Sequence, residues 1–240
     1  MADRYFVQPG DFADQAELTG DEAHHLARVM RAGPGTEVIL FDGSGWEYAA
    51  VVESATSKRV LLKVVGRSQP DRELTRPITL AVALPKGERQ RWLVEKSVEL
   101  GVARLVPLLT QRGVAQPVEQ ALRRLERAVI EASKQCGRNR LMEIAPPCRI
   151  SELQAAAGDA KLLAHPEGAL LSNYADQLGT AGDATVGCLL AVGPEGGFTE
   201  EEVATARAAG WQHVGLGPRI LRVETAALAL VAQVAMLQTR

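Results

Sequence analysis

The chain reads as an α/β protein, a mostly parallel sheet with helices preceded by a small β-rich unit, and three observations point there. Two short apolar runs, Leu189 to Val192 and Val214 to Leu216, each empty into a loop rich in Gly and Pro. Such a run, followed by a helical pattern, is the form of a buried parallel strand feeding a helix. From Ile78 onward strand-like and helix-like stretches alternate, which calls for a parallel sheet. Before about residue 67 the pattern is instead one of short strands around the turn signal Asp42-Gly43.

Taken in order, Arg4 to Val7 predicts a strand. Thr19-Gly20-Asp21-Glu22 has capping-box spacing and predicts a helix to about Arg31, on which His24, Arg28 and Arg31 share a face. That face suits phosphate, and equally solvent. Thr36 to Phe41, Trp46 to Glu53 and Arg59 to Val65 predict a hairpin and a further strand. Ser68 to Arg76 is polar, contains Pro70 and lacks periodicity, so it reads as a linker. Ile78 to Leu84 predicts a strand ending at Pro85-Lys86-Gly87, and the helix from Glu88 to about Leu100 is stopped by Gly101. Leu105 to Leu109 is the next strand, and Pro117 opens a helix to about Cys136. Lys161 to Ala164 and Val186 to Val192 predict strands, and Thr199 to Glu202 forms a second capping box. The last helix, Thr225 to Gln238, is apolar almost all round, as a helix buried on several sides must be.

Composition narrows the function. The 240 residues are 46% hydrophobic and 23% charged, the balance of a soluble globular protein. No signal-like segment opens the sequence and its longest apolar run, Thr225 to Leu237, is too short to span a bilayer, so a cytoplasmic protein is expected. Cys136, Cys148 and Cys188 are too scattered for a disulfide framework, and no His stands at zinc-ligand spacing to them, so no metal is expected. The net charge of −2 conceals an asymmetry: residues 75–150 hold 14 Lys and Arg against 7 Asp and Glu, whereas both flanks are acidic. One sign of charge on one part of a fold points to a polyanionic partner, although a solvated helix face has the same composition.

Three strand ends share a form: Ala164-His165-Pro166-Glu167-Gly168, Val192-Gly193-Pro194-Glu195-Gly196-Gly197 and Leu216-Gly217-Pro218-Arg219. Loops of one kind at one sheet edge would wall a pocket made largely of main-chain groups, suited to a ligand whose heterocyclic edge the backbone can read. A triphosphate is disfavoured because no Gly-x-x-x-x-Gly-Lys-Ser/Thr occurs, and the dinucleotide fingerprint Gly-x-Gly-x-x-Gly follows no strand. An adenosyl or similarly uncharged nucleoside cofactor remains.

Leu84-Pro85-Lys86-Gly87, Glu95 to Val102, Glu131 to Arg138, Gly193 to Phe198 and Leu216 to Ala226, in that order, resemble the bacterial 16S ribosomal RNA (uracil-N3)-methyltransferases of the SPOUT superfamily. The resemblance covers essentially the whole chain, including Arg4-Tyr5-Phe6 and His25-Leu26-x-x-Val29-x-Arg31. It implies a PUA-like β-barrel RNA-binding domain over residues 1–70 and a SPOUT methyltransferase domain over 75–240. The latter would carry a deep trefoil knot with the cofactor site in about 160–240; no sequence pattern could show a knot. It also implies S-adenosylmethionine as cofactor, 16S ribosomal RNA within the small subunit as substrate, and a homodimer.

Carried onto this sequence, the cofactor walls are Leu163, Ala164, His165 and Glu167; Val192, Gly193, Pro194, Glu195, Gly196 and Gly197; and Leu216, Gly217, Ile220, Leu221, Arg222, Thr225 and Ala226. A cation beside O2 or O4 would stabilise the uracil anion, a role expected first of Arg222 and then of Arg219. Glu224 or Glu195 would orient the cofactor or assist proton removal; for Arg222 a structural pair with Glu224 is the competing reading. His165 beside the pocket reads as a base or, more simply, as a neutral ring stacking at a loop. RNA contacts are expected of Arg4, Arg28, Arg31, Lys86, Arg89, Arg112 and Arg138. Two rivals stand beside this reading: a nicotinamide-dependent oxidoreductase, opposed by the missing fingerprint, and a non-catalytic RNA-binding or ribosome-assembly factor on the same fold.

Overall fold

The computed structural model describes residues 3–8, 14–113, 118–174, 178 and 186–238. Pro117 lies outside the described residues. The chain forms two compact units, one of Met1–Arg72 with Ser133–Leu141 and one of Glu73–Ala132 with Met142–Arg240.

In the first unit β1 (Arg4–Phe6), β2 (Gln15–Thr19), β3 (Glu37–Phe41), β4 (Glu47–Ala55) and β5 (Arg59–Ser68) form one sheet in the order β1-β3-β4-β5-β2. Only β1 and β3 run parallel; the other pairs are antiparallel. Because strand side chains alternate, Ala16 and Leu18, Tyr48, Ala50 and Val52, and Val60 and Leu62 all reach one core with Tyr5, Leu26 and Leu40.

The helix after β2 departs from the sequence expectation. α1 covers only Gly20–His24, a π-turn follows at His25–Val29, and Arg31 adopts a left-handed φ of 56°. The capping box is not made. Thr19 caps nothing with its side chain, and the Glu22 carboxylate instead accepts from Lys134 Nζ at 2.8 Å. The wider turn and the left-handed residue replace the regular spacing that would align His24, Arg28 and Arg31 on one helix face.

The same unit is tied together by charge. Glu47 accepts from Arg4 and from Arg72, each at 3.0 Å, and from Asn139 at 3.2 Å. Arg4 also donates to the Asn139 side chain and lies over the Phe41 ring. Burial would raise the Glu47 pKa, but the hydrogen bonds from Arg72, Arg4 and Asn139 outweigh it and hold the carboxyl down at about 2.

In the second unit β6 (Ile78–Val82), β7 (Val102–Pro107), β8 (Glu143–Ile144), β9 (Ala160–Ala169), β10 (Cys188–Val192) and β11 (Gln212–Val214) form a sheet in the order β11-β9-β10-β6-β7-β8. Every pairing is parallel. Every residue of β10 is buried, which is why its sequence is an unbroken apolar run rather than an alternation. Among the described residues the unit's helices are α2 (Glu88–Glu99), α3 (Glu119–Cys136), whose residues from Ser133 on belong to the first unit, α4 (Glu200–Ala208) and α5 (Val223–Gln238). The capping box at α4 is made: Thr199 Oγ1 accepts from the Glu202 N–H while Glu202 accepts from the Thr199 N–H at 2.8 Å.

β9 also departs from expectation, running on to Ala169 where Pro166 and Gly168 read as a loop. It pairs with β11 through an irregularity between His213 and Val214. Gly168 and Gly215 make this possible by close approach: a Cβ on Gly168 would lie 2.3 Å from the Val214 carbonyl carbon, and one on Gly215 2.5 Å from the Gly168 oxygen.

Candidate cofactor site

A parallel sheet brings the carboxyl ends of its strands to one edge, so β9, β10 and β11 deliver their downstream segments to one place. Between those segments lies a cavity of about 470 Å³. Ala164, His165 and Pro166 line it from β9, Val192 to Phe198 from the segment after β10, and Leu216 to Leu221 from the segment after β11, with Val223 and Ala226 of α5 beside them. Most of this wall is backbone, glycine, proline and aliphatic carbon.

Its parts are held in place individually. Phe198 is buried and fills the floor of its own loop, where a Cβ on Gly193 would come within 3.0 Å of the ring. Arg112 donates to the Gly196 carbonyl at 2.8 Å and reaches the Phe198 carbonyl at 3.5 Å, so its charge braces the loop. The His165 ring stacks on His213 with centroids 5.0 Å apart, and His165 Nδ1 accepts from the Glu167 N–H. Burial, then the neighbouring His165 and Arg207, push the His213 pKa down, which favours a neutral ring there.

Of the expected cofactor residues, Leu163 is buried in the core, and Glu167, Arg222 and Thr225 are exposed and outside the lining. Arg219 lines the cavity and is exposed, and Ile220 is 99% exposed. Glu224 is 6% exposed and stands off the lining; it pairs with Arg89 rather than with Arg222. Pro166, Pro218 and Val223 lie within the stretches expected to form the walls, and Phe198 is the lining residue that sequence reasoning left out. Phe198 carried a signal, as the one aromatic in the Gly193 to Thr199 loop. Among the residues expected to meet RNA, Arg28, Arg31 and Lys86 are exposed, whereas Arg138 is 4% exposed and Arg4 is engaged by Glu47 and Asn139.

A second cavity in this unit, about 510 Å³, is walled by Thr110, Gln111, Arg149, Ser151, Glu201 and Glu202 among others. Gln111 already occupies both carboxylates there, donating from its backbone to Glu202 and from its side chain to Glu201. No group of three or more potential metal ligands occurs among the described residues, and no helix among them is long and apolar enough to cross a membrane.

Residues 72–235 match the model of an RNA methyltransferase domain, and residues 18–65 that of an RNA methyltransferase PUA domain. The chain belongs to this RNA methyltransferase family. Within it, the chain is 34% identical to ribosomal RNA small subunit methyltransferase E of Synechocystis over 98% of this chain and 77% of that protein. It is 29% identical to the Bacillus subtilis protein of the same name over 94% and 93%. A crystal structure of ribosomal RNA small subunit methyltransferase E from Neisseria gonorrhoeae, bound to S-adenosylmethionine, superposes with a TM-score of 0.87 at 29% identity, covering 99% of this chain and 98% of that one. A Legionella pneumophila methyltransferase structure with the same cofactor gives 0.88 at 30% identity, with 98% of both chains covered.

Proposed function

We propose that this RNA methyltransferase transfers a methyl group from S-adenosylmethionine to N3 of a uridine in 16S ribosomal RNA of the small ribosomal subunit. The observation that carries the reading is the cavity at the ends of β9, β10 and β11, in a chain similar along nearly its whole length to structures that hold S-adenosylmethionine.

The residues present fit that cofactor. Backbone amides and carbonyls of the three segments would read the edge of an adenine, and Phe198, Leu221 and Ala226 would offer apolar surface to the ligand. When bound, S-adenosylmethionine supplies an electrophilic methyl on a sulfonium. The protein's own work is then placement: rigid loops hold the ligand in line with an incoming nitrogen and keep water out. Uracil N3 gains the methyl and gives up its proton, and that nitrogen is free only in an unpaired or extruded base. Arg222, exposed beside the lining, and Arg219, within it, would stabilise a carbonyl oxygen of the uracil as negative charge builds there. Glu195, on the rim, is a candidate for proton removal.

RNA is held by the exposed cations, including Arg28 and Arg31 of the N-terminal unit and Lys86, through phosphate contacts that set affinity without reading sequence. The protein acts in the cytoplasm as a homodimer, which would cover the exposed Ile220 and the outer face of α5, where Met236 is 70% exposed. The C-terminal domain carries the trefoil knot of its superfamily.

Mass mapping of modified nucleotides in small-subunit RNA tests the reading. Cells lacking the protein should lose N3-methyluridine at one position and regain it with the wild-type gene; unchanged methylation would refute the assignment. Loss of RNA binding function without any change in methylation would favour the non-catalytic assembly factor.

A further inference from the structure

We infer that Arg89 is a positioning residue of the cofactor site rather than an RNA contact. Its Nη1 lies 3.4 Å from Glu224 Oε1 and 3.6 Å from Glu195 Oε1, so one guanidinium stands between a carboxylate at the start of α5 and one of the loop after β10. Glu195 belongs to the loop after β10. Glu224 is the second residue of α5, directly after the segment that follows β11.

The fold explains the meeting. β6 and β10 are parallel neighbours, so the segment that leaves β6 and opens α2 emerges at the same sheet edge as the loop after β10. Gln90 fixes that segment by donating to the Pro85 carbonyl at 2.7 Å, and Arg89 is the residue before it on α2.

Glu224 makes the arrangement consequential. Its side chain is only 8% exposed, and its Oε2 is buried without a hydrogen-bond partner among the described residues. A carboxylate so placed draws on the amino end of α5 and on one cation. Without that cation it would be a buried uncompensated charge, and α5 with its leading segment would shift to hydrate it. Glu195 would lose its tether at the same moment. Both walls of the cavity would loosen together, although Arg89 itself is not in the lining. The guanidinium is thus largely neutralised by two carboxylates, which leaves little charge for phosphate.

The inference rests on the methyltransferase reading, and the test keeps the two apart. S-Adenosylmethionine is titrated calorimetrically into the full-length wild type, Arg89→Ala, Arg89→Lys, Glu224→Gln and the double variant Arg89→Ala/Glu224→Gln, with binding of small-subunit RNA measured in parallel. Arg89→Ala should weaken the cofactor about tenfold and leave RNA affinity within about twofold. Arg89→Lys should recover part of the loss, since it keeps the charge and loses the fork. The double variant should bind no more weakly than Arg89→Ala, because the charge that needed compensation is gone. A purely structural role would lower the melting temperature yet leave the calorimetric affinity of the folded protein unchanged, and that would overturn the inference. So would unchanged cofactor affinity with weakened RNA binding. A wild type that binds no S-adenosylmethionine sinks the methyltransferase reading itself, whereas binding by the wild type and by Arg89→Ala alike sinks only the role of Arg89.

Discussion

The two units spend polar chemistry differently. In the N-terminal unit the conspicuous charges pair with one another and hold the fold: Glu47 gathers Arg4, Arg72 and Asn139, and its carboxyl is held down at about 2. In the C-terminal unit the cavity is walled by backbone, glycine and aliphatic carbon, with charges such as Arg89, Arg112 and Glu224 standing behind the wall or at its edge. A site that has to recognise an uncharged heterocycle and a ribose needs shape and main-chain hydrogen bonds. Side-chain charge serves there mainly to hold loops in position.

The contrast can be broken most severely at the crossing of β9 and β11. Gly168→Val should destabilise the protein by at least about 3 kcal/mol in urea unfolding, because the new side chain meets backbone that cannot move aside. Cofactor binding should disappear with it. A stable variant would mean that the close approach is not required.

Glu47→Gln addresses the other unit. Removing the charge leaves Arg4 and Arg72 without their carboxylate and should cost on the order of 2 kcal/mol, with cofactor affinity unchanged. The sign with pH follows from the lowered pKa. The native state binds its proton less readily than the unfolded chain, so the Glu47 contribution is complete above about 4.5, the ordinary value, and fades as the pH falls toward about 2. Wild type and Glu47→Gln should therefore differ in stability at pH 7 and converge as the pH falls to about 2.

Replacing Arg28 and Arg31 together by Ala should weaken RNA about tenfold and flatten the dependence of affinity on salt, again with no effect on the cofactor. A filter-binding series at several salt concentrations reads both. The smallest effect is expected at Thr199→Ala, which removes the cap of α4 and should cost about 1 kcal/mol, measured by thermal unfolding. Because Thr199 follows Phe198 directly, a larger loss of cofactor affinity than of stability would show that the cap also fixes the loop.

Much of this was legible in the residues. The unbroken apolar run of β10, the capping box at Thr199 and the Gly- and Pro-rich loops after β10 and β11 are local patterns, and each is found where the pattern placed it. What stayed hidden depends on partners distant in sequence. Pro166 and Gly168 look like a loop because nothing local announces that β11 will approach closely enough to keep β9 extended. The box at Thr19 was misleading because Lys134, far along the chain, takes Glu22. Arg89 and Arg112 read as free cations on composition alone, whereas their acceptors, Glu224, Glu195 and the Gly196 carbonyl, lie far along the chain. That Ser133–Leu141 belongs with the N-terminal unit likewise rests on contacts that no periodicity contains.

The central claim is that the cavity at the ends of β9, β10 and β11 holds S-adenosylmethionine. Calorimetric titration of the wild type against Gly193→Val tests it, since a side chain at that position would push on the Phe198 ring at the cavity floor. Saturable binding of one cofactor per chain by the wild type, reduced at least about a hundredfold in a Gly193→Val protein that stays folded, is the expected result. Equal affinity in the two proteins would place the cofactor elsewhere and contradict the account.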